Sequence, residues 1–431
     1  MELKTRYQYT YFIYPYVIEQ SKYSKYLQNL LRNKKCTLRM FEKQKDLDIY
    51  NKFLPKVRRF MFPTFDFSEN KRKKFKELDV GLQSTILQKY PCTIFEYNLG
   101  KNAQGKAGRN AGIFFKIDKI EIICFYTGEC FITLKTSVED LEQFDDVLNF
   151  NYKFKDIKSE FISMKQFDNI KIQTSEFDDV RKITEVIDEI VGNYTKNINI
   201  DTNKFLTYSY SCIDQEHWNK NKSFENIRHQ FYKYTNVLPS NYNLNVEFSE
   251  NDKKVDIIDK WEYIKYGFSS QATTLFTSGV DTFNYTKLPF LYEKVYIYMY
   301  ILQLYKKIYI QKLIEKYKSA TKASKLRKEF LNFTHNIWLQ DITTDDIGQL
   351  LVNSWSENLE LEKLYWKLKN EYDILYKESN IEKTAKSNKV IMVILITSLI
   401  LNIINFVVLL NWLGFGSIGI WGRSLNPFYY N

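Results

Sequence analysis

The chain has 431 residues, 62 Lys and Arg against 51 Asp and Glu for a formal charge of +11, and 33 Tyr, 32 Phe and 7 Trp beside only 14 Gly and 7 Pro. That length and aromatic content support two or three units with real cores and exclude a low-complexity, collagen-like or acidic solvating chain. Cys36, Cys92, Cys124, Cys130 and Cys212 form no CxxC pair and read as reduced core residues, which excludes a disulfide scaffold.

In chain order, the first 280 residues mix strand and helix patterns and predict an α+β domain. Strands are predicted at 9–14, 36–41, 93–98, 205–212 and 244–248, and helices at 18–31 and 178–193. The β-rich runs 113–117, 119–126 and 130–135 are parted by Asp118 and by Thr127-Gly128-Glu129, which predicts a three-stranded antiparallel meander. Ser137 then caps a helix through Phe150.

Two basic segments interrupt this region. Lys56, Arg58, Arg59, Lys71, Arg72, Lys73, Lys74 and Lys76 interleave with Phe60, Phe62, Phe65, Phe67 and Phe75. Such a mixture can stack bases and track phosphates, so nucleic acid is one candidate partner; a solvated charged face is the other reading. Further on, Gly100 to Lys106 follows a predicted strand with the spacing GxxxxGK. Ala107 stands where a nucleotide-hydrolysing loop needs Ser or Thr for Mg²⁺, and Gly108 and Gly112 lead into a strand. The role left to this loop is phosphate contact through Lys101, Lys106 and Arg109, against a solvated hairpin connection. His217, His229 and His335 are isolated, and neither HExxH, GxSxG nor GxGxxG occurs, so no enzyme, catalytic residue, metal site or cofactor is expected.

The last third is helical. Pro289 opens a helix to Lys318, and a third helix from about 320 to 339 returns as a hairpin. Thr343-Thr344-Asp345-Asp346 then starts a helix whose Ile347, Leu351, Trp355, Leu361, Leu364, Leu368, Tyr372 and Leu375 form one apolar seam. Continuous from 344 to 410, it would run ~100 Å into the run 390–410, uncharged and about the ~20 residues that cross a bilayer. Lys377, Lys383, Lys386 and Lys389 precede that run and only Arg423 follows it, so the large N-terminal part is expected in the cytoplasm. Within the run Ser398, Asn402 and Asn405 share one side of the helix, either lining a narrow pore in a homo-oligomer or hydrogen-bonding neighbouring helices in a dry bundle. Trp412, Trp421, Phe428, Tyr429 and Tyr430 suit an outer interfacial belt. The expected divisions are therefore 1–280 as a cytoplasmic sensor, 281–342 as a helical hairpin, 343–389 as a stalk, 390–411 as a transmembrane helix and 412–431 as an outer tail.

This order resembles the CorA family of divalent-cation channels, in which a cytoplasmic α/β domain leads through an antiparallel helix pair to one very long helix that lines the pore of a homopentamer. The family's Gly-Met-Asn is replaced here by Trp412-Leu413-Gly414-Phe415-Gly416, and its second membrane helix is absent or much reduced. A divergent branch accompanies type III CRISPR systems, where membrane effectors respond to a nucleotide second messenger, including conjugates of S-adenosylmethionine with AMP. The chain is similar to such an effector. The resemblance implies a homo-oligomer, by analogy a pentamer, embedded in the lipid bilayer, with a nucleotide ligand on the cytoplasmic domain and a role in antiviral defence. The competing function is a non-conducting membrane tether that binds nucleic acid or protein through its basic domain.

Overall fold

Side chains alternate across the first strand, and on this chain both faces are aromatic. The computed structural model describes residues 3–108, 112–139, 143–155, 170–177, 179–195, 204–243, 256–318 and 323–413. Strand β1 (Thr5–Val17) turns Phe12 and Tyr16 to one side, where Phe12 stacks on Phe154 at 4.0 Å and the Tyr16 and Tyr26 hydroxyls meet at 2.6 Å. It turns Tyr9 and Tyr11 to the other, and the Tyr9 hydroxyl donates to the Pro289 carbonyl at 2.7 Å. A sheet with two apolar faces must be covered twice, so the layers are helix, sheet, helix.

The strands that follow are β2 (Cys36–Leu38), β3 (Cys92–Tyr97), β4 (Gln104–Ala107), β5 (Ile113–Phe125), β6 (Glu129–Val138), β7 (Ile170–Gln173), β8 (Arg181–Lys182), β9 (Leu206–Ile213), β10 (Asp256–Trp261), β11 (Ile264–Phe268) and β12 (Ala272–Ser278). They form one mixed sheet in the order β10-β11-β12-β9-β1-β6-β5-β4-β7-β8, with β3 on β5 and β2 on β3. Strand β12 runs parallel to β9, and the other pairings are antiparallel. The predicted strands 113–117 and 119–126 are a single strand: its register slips between Ile117 and Lys119, so Asp118 is an extra bulged residue rather than a turn. Its first half pairs with β4 and its second with β3. Ser137 pairs with Lys116 at the end of β6 instead of capping a helix, and the helix begins at Phe144. The strand predicted at 244–248 lies outside the described residues.

Helices α1 (Tyr23–Arg32), α2 (Leu47–Lys52), α3 (Pro55–Met61), α4 (Glu69–Glu77), α5 (Val80–Leu87), α6 (Phe144–Phe154), α7 (Ile183–Val191) and α8 (Arg228–Thr235) decorate the sheet. Helix α1 begins later than predicted because Ile18 still bridges to Thr195. On the face of Tyr9, the short turns α9 (Phe283–Thr286) and α10 (Leu288–Leu291) and a π-helical turn at Tyr292–Tyr296 lead into α11 (Ile297–Lys318). Most side chains of α11 from Ile297 to Ile314 are buried, Gln303 and Lys306 among them, while Glu315 and Lys316 are exposed. Its Tyr305 ring stacks on Phe125 at 3.8 Å, while Tyr208 stacks on Tyr292 at 4.1 Å and donates its hydroxyl to the Tyr292 carbonyl at 2.8 Å. Helix α12 (Ala323–Asn332) and a π turn at Phe333–Ile337 occupy the predicted third helix.

The predicted continuous stalk is two helices, α13 (Asp346–Asn358) and α14 (Leu361–Trp412). Glu360 between them has φ +53°, the left-handed conformation that closes a helix. Leu359 and Leu361 explain the break, because both are buried and a straight helix would set them about 200° apart. Residues Met1–Lys316 with Leu331–Leu368 form one compact unit; Tyr317–Phe330 and Lys369–Asn431 form the second. Inside the second unit, Phe330 stacks on Tyr372 at 4.5 Å and the Tyr317 hydroxyl donates to the Leu326 carbonyl at 3.0 Å.

Candidate functional site

Among the described residues one helix, α14, is long and apolar enough to cross a membrane. From Val390 to Leu409 its apolar side chains are 48 to 63% exposed, left uncovered by the described residues. A core helix of a water-soluble protein would be buried. Thr397 satisfies its hydroxyl on the Val393 carbonyl at 2.7 Å. Ser398, Asn402 and Asn405 form no side-chain hydrogen bond, and their spacing of four and three sets them within one narrow arc of the helix. In hydrocarbon such amides require partners. The three residues thus share one face of α14 and have no side-chain hydrogen-bond partner among the described residues.

The glycine-rich segment is built differently. Gln104–Ala107 is the strand β4, held between β5 and β7. A Cβ on Gly105 would lie 2.3 Å from the Phe115 ring, so this glycine serves close strand packing. Lys101 lies in the exposed turn before β4 and gives its backbone N–H to Ser175 at 2.9 Å. Lys106, within the strand, carries its ammonium 5.7 Å from the centre of the Phe114 ring. Arg109 lies outside the described residues.

The basic cluster between 56 and 76 folds into α3 and α4 and a 3-10 turn at Pro63–Asp66. Phe60, Phe62, Phe67 and Phe75 are buried and unavailable to a base, while Phe65 is half-buried. Two adjoining clefts of about 610 and 430 Å³ open here and share Lys43 and Phe65. Glu42, Lys45, Arg72, Lys73 and Lys76 line the first and Tyr50, Arg58, Arg59 and Asp66 the second. The Arg58 guanidinium lies 3.7 Å from the centre of the Tyr50 ring and donates to the Tyr50 carbonyl at 2.6 Å, and Lys43 lies 4.6 Å from the same ring. Arg72 donates to the Phe41 carbonyl at 2.9 Å and sits 3.6 Å from Glu42, but its buried Nε has no acceptor. Lys45 pairs with Glu42 at 3.1 Å and Lys73 with Glu69 at 2.9 Å. Lys43, Arg59 and Lys76 form no ion pair. Lys43, Lys45 and Tyr50 escaped the sequence reading because they precede the charged run and carry no pattern of their own.

Deeper charges tie α11 to the sheet. Glu121, 3% exposed, accepts from Lys119 at 2.8 Å, Arg39 at 3.2 Å and Tyr298 at 2.9 Å. Burial alone would raise its carboxyl, but the Lys119 and Arg39 charges and these hydrogen bonds hold it below the usual range. Glu129 is fully buried and accepts from Lys312 at 2.6 Å. Lys306 is buried with no carboxylate: its ammonium donates to the Leu339 carbonyl at 2.5 Å, and burial pushes its pKa down to about 7. His217 is buried with neither ring nitrogen bonded, whereas His229 and His335 are exposed. The described residues hold no group of three or more His, Cys, Asp or Glu arranged to bind a metal ion. No protein-family model, curated protein or solved structure matches the chain.

Proposed function

We propose that the protein is a membrane effector, anchored by residues 390–410, whose copies assemble with Ser398, Asn402 and Asn405 facing one another along a narrow polar path. The observation that carries this reading is the combination on α14 of an exposed apolar surface with a single polar face lacking partners among the described residues. Lipid satisfies the first requirement, and neighbouring copies or water satisfy the second. Lys377, Lys383, Lys386 and Lys389 before the span support a cytoplasmic α+β unit by the positive-inside bias. A ligand bound there would control the path. A CorA-like architecture is supported by the element order, an α+β unit followed by α11, α12 and a long helix that becomes the span; the break at Glu360 departs from that family's single stalk. The tether reading is favoured by one observation, the surplus of cations in the clefts around Lys43, which an anionic partner would match.

The test is Asn402→Leu with Asn405→Leu in liposomes, measuring ion flux and oligomer mass on the same sample. In a pore the constriction becomes apolar and dewets, so flux falls while assembly persists. In a dry bundle the change removes interhelical hydrogen bonds worth about 0.6 to 2 kcal/mol each, so assembly loosens instead. A monomer across detergents by native mass spectrometry refutes both the pore and the bundle.

A further inference from the structure

The geometry points to the paired clefts around Lys43 and Phe65 as a binding site for a small ligand with two phosphate groups, one held in each cleft. Seven cationic side chains line the two spaces against three carboxylates. Of these carboxylates, Glu42 is shared by Lys45 and Arg72, Glu69 is taken by Lys73, and Asp66 is unpaired. Lys43, Arg58, Arg59 and Lys76 therefore remain without a carboxylate, with Lys43 at the junction, Lys76 in the first cleft and Arg58 and Arg59 in the second. Surface cations commonly repel one another and spread; these are held together by the aromatic floor, where Phe41 and Phe62 pack at 4.7 Å and Phe65 contacts both. The Arg58 fork is fixed by its stacking on Tyr50, so its orientation is paid for before a ligand arrives. The buried Nε of Arg72 is a donor that an added oxygen would satisfy.

Ligand size follows from the aromatics. A single strand of nucleic acid needs several exposed rings in succession, and here Phe65 alone is open while Tyr50 is occupied by Arg58 and Lys43. A compact polyphosphate group matches better, whether on a soluble molecule or on a lipid headgroup. The site belongs to the α+β unit and does not rest on the oligomeric reading of α14.

The probe is sodium tripolyphosphate, titrated calorimetrically into the full-length protein in detergent. Saturable binding is expected, weakening as salt rises. Orthophosphate should bind much more weakly; equal affinity for the two anions refutes the two-cleft arrangement. Lys43→Ala with Arg59→Ala and Lys76→Ala should weaken tripolyphosphate by about 100-fold or more, because charge-assisted contacts are among the strongest a surface offers. Lys43→Arg with Arg59→Lys should retain binding. The single Lys43→Gln, at the junction of the clefts, provides the same test if the triple variant fails to fold. Unchanged affinity in either neutral variant overturns the proposal. Competition by ATP assigns a soluble source, and ATP-resistant flotation with phosphatidylcholine vesicles containing phosphatidylinositol bisphosphate assigns a headgroup. An oligothymidylate that binds more tightly with each added nucleotide overturns the small-ligand reading in favour of nucleic acid.

Discussion

Lys306 gives the sharpest energetic test of the packing between α11 and the loop that follows α12. Its ammonium is buried, donates to the Leu339 carbonyl and to Gln303 at 3.4 Å, and has no carboxylate to offset its charge. Burial lowers its pKa from 10.5 to about 7. Between those values the native chain binds fewer protons than the unfolded one, so stability rises with pH across the window and the penalty is present in full below about pH 7. At 1.36 kcal/mol per pKa unit the penalty is about 5 kcal/mol. Lys306→Met keeps the aliphatic stem and removes the charge, but it leaves the Leu339 carbonyl without its donor, at a cost of about 1 to 3 kcal/mol. The variant should therefore be more stable than the parent by roughly 2 to 4 kcal/mol at about pH 6, and the advantage should shrink steadily towards alkaline pH. Thermal unfolding of the detergent-solubilised protein, followed by tryptophan fluorescence between about pH 6 and pH 9, reads this directly. Parallel pH curves for parent and variant would refute the argument, since only a titrating Lys306 makes them converge.

Three further outcomes follow from other parts of the structure. Asp345 caps α13 by accepting from the Gly348 N–H at 3.0 Å and also bonds Lys52 and Tyr296; burial opposes its charge, yet these partners hold its carboxyl below the usual range. Its contribution is present above the unfolded carboxyl pKa of about 4 and lost as pH falls through the lower folded value, so Asp345→Ala should cost about 1 to 2 kcal/mol at neutral pH and little in acid, by the same melting assay. Gly105→Val should destabilise by about 1 to 3 kcal/mol through its clash with Phe115 and the Lys171 carbonyl, with tripolyphosphate affinity unchanged in the folded fraction. Lys101→Ala with Lys106→Ala should leave that affinity within about twofold of the parent, whereas loss comparable to the Lys43 set would return the ligand to the glycine-rich segment.

The long apolar helix α14 was legible because an uncharged run of bilayer length is read directly from the sequence, without reference to tertiary packing. The central strands were legible for a related reason: β1 and β9 are long and rich in β-branched and aromatic residues, which few other structures accommodate. Helices α2 to α5 were not. They have six to nine residues each, too few to show a period, and their starts depend on Pro55, Ser68 and Asp79 read locally. The break at Glu360 was invisible because neither Gly nor Pro marks it; two buried leucines force the turn from a distance. The second glycine of the GxxxxGK spacing has a packing role that the sequence does not show, since a side chain at Gly105 would meet Phe115 across the sheet. The clefts around Lys43 draw on four short segments, and only folding brings them to one aromatic floor.

The excess of positive charge has a definite distribution, and that distribution separates structure from function. Inside the α+β unit, cations are consumed by buried carboxylates: Arg39 and Lys119 on Glu121, Lys312 on Glu129, Lys135 on Glu293. These pairs cost desolvation and return it through hydrogen bonds, so they register α11 against the sheet without adding much net stability. Cations outnumber carboxylates in the clefts around Lys43, and four lysines, 377, 383, 386 and 389, stand ahead of the apolar run 390–410. In the membrane reading proposed above, the second group would face the anionic inner leaflet. The first stands on the aromatic floor of Phe41, Phe62 and Phe65, and the repulsion among its like charges would be relieved by the anionic ligand proposed above.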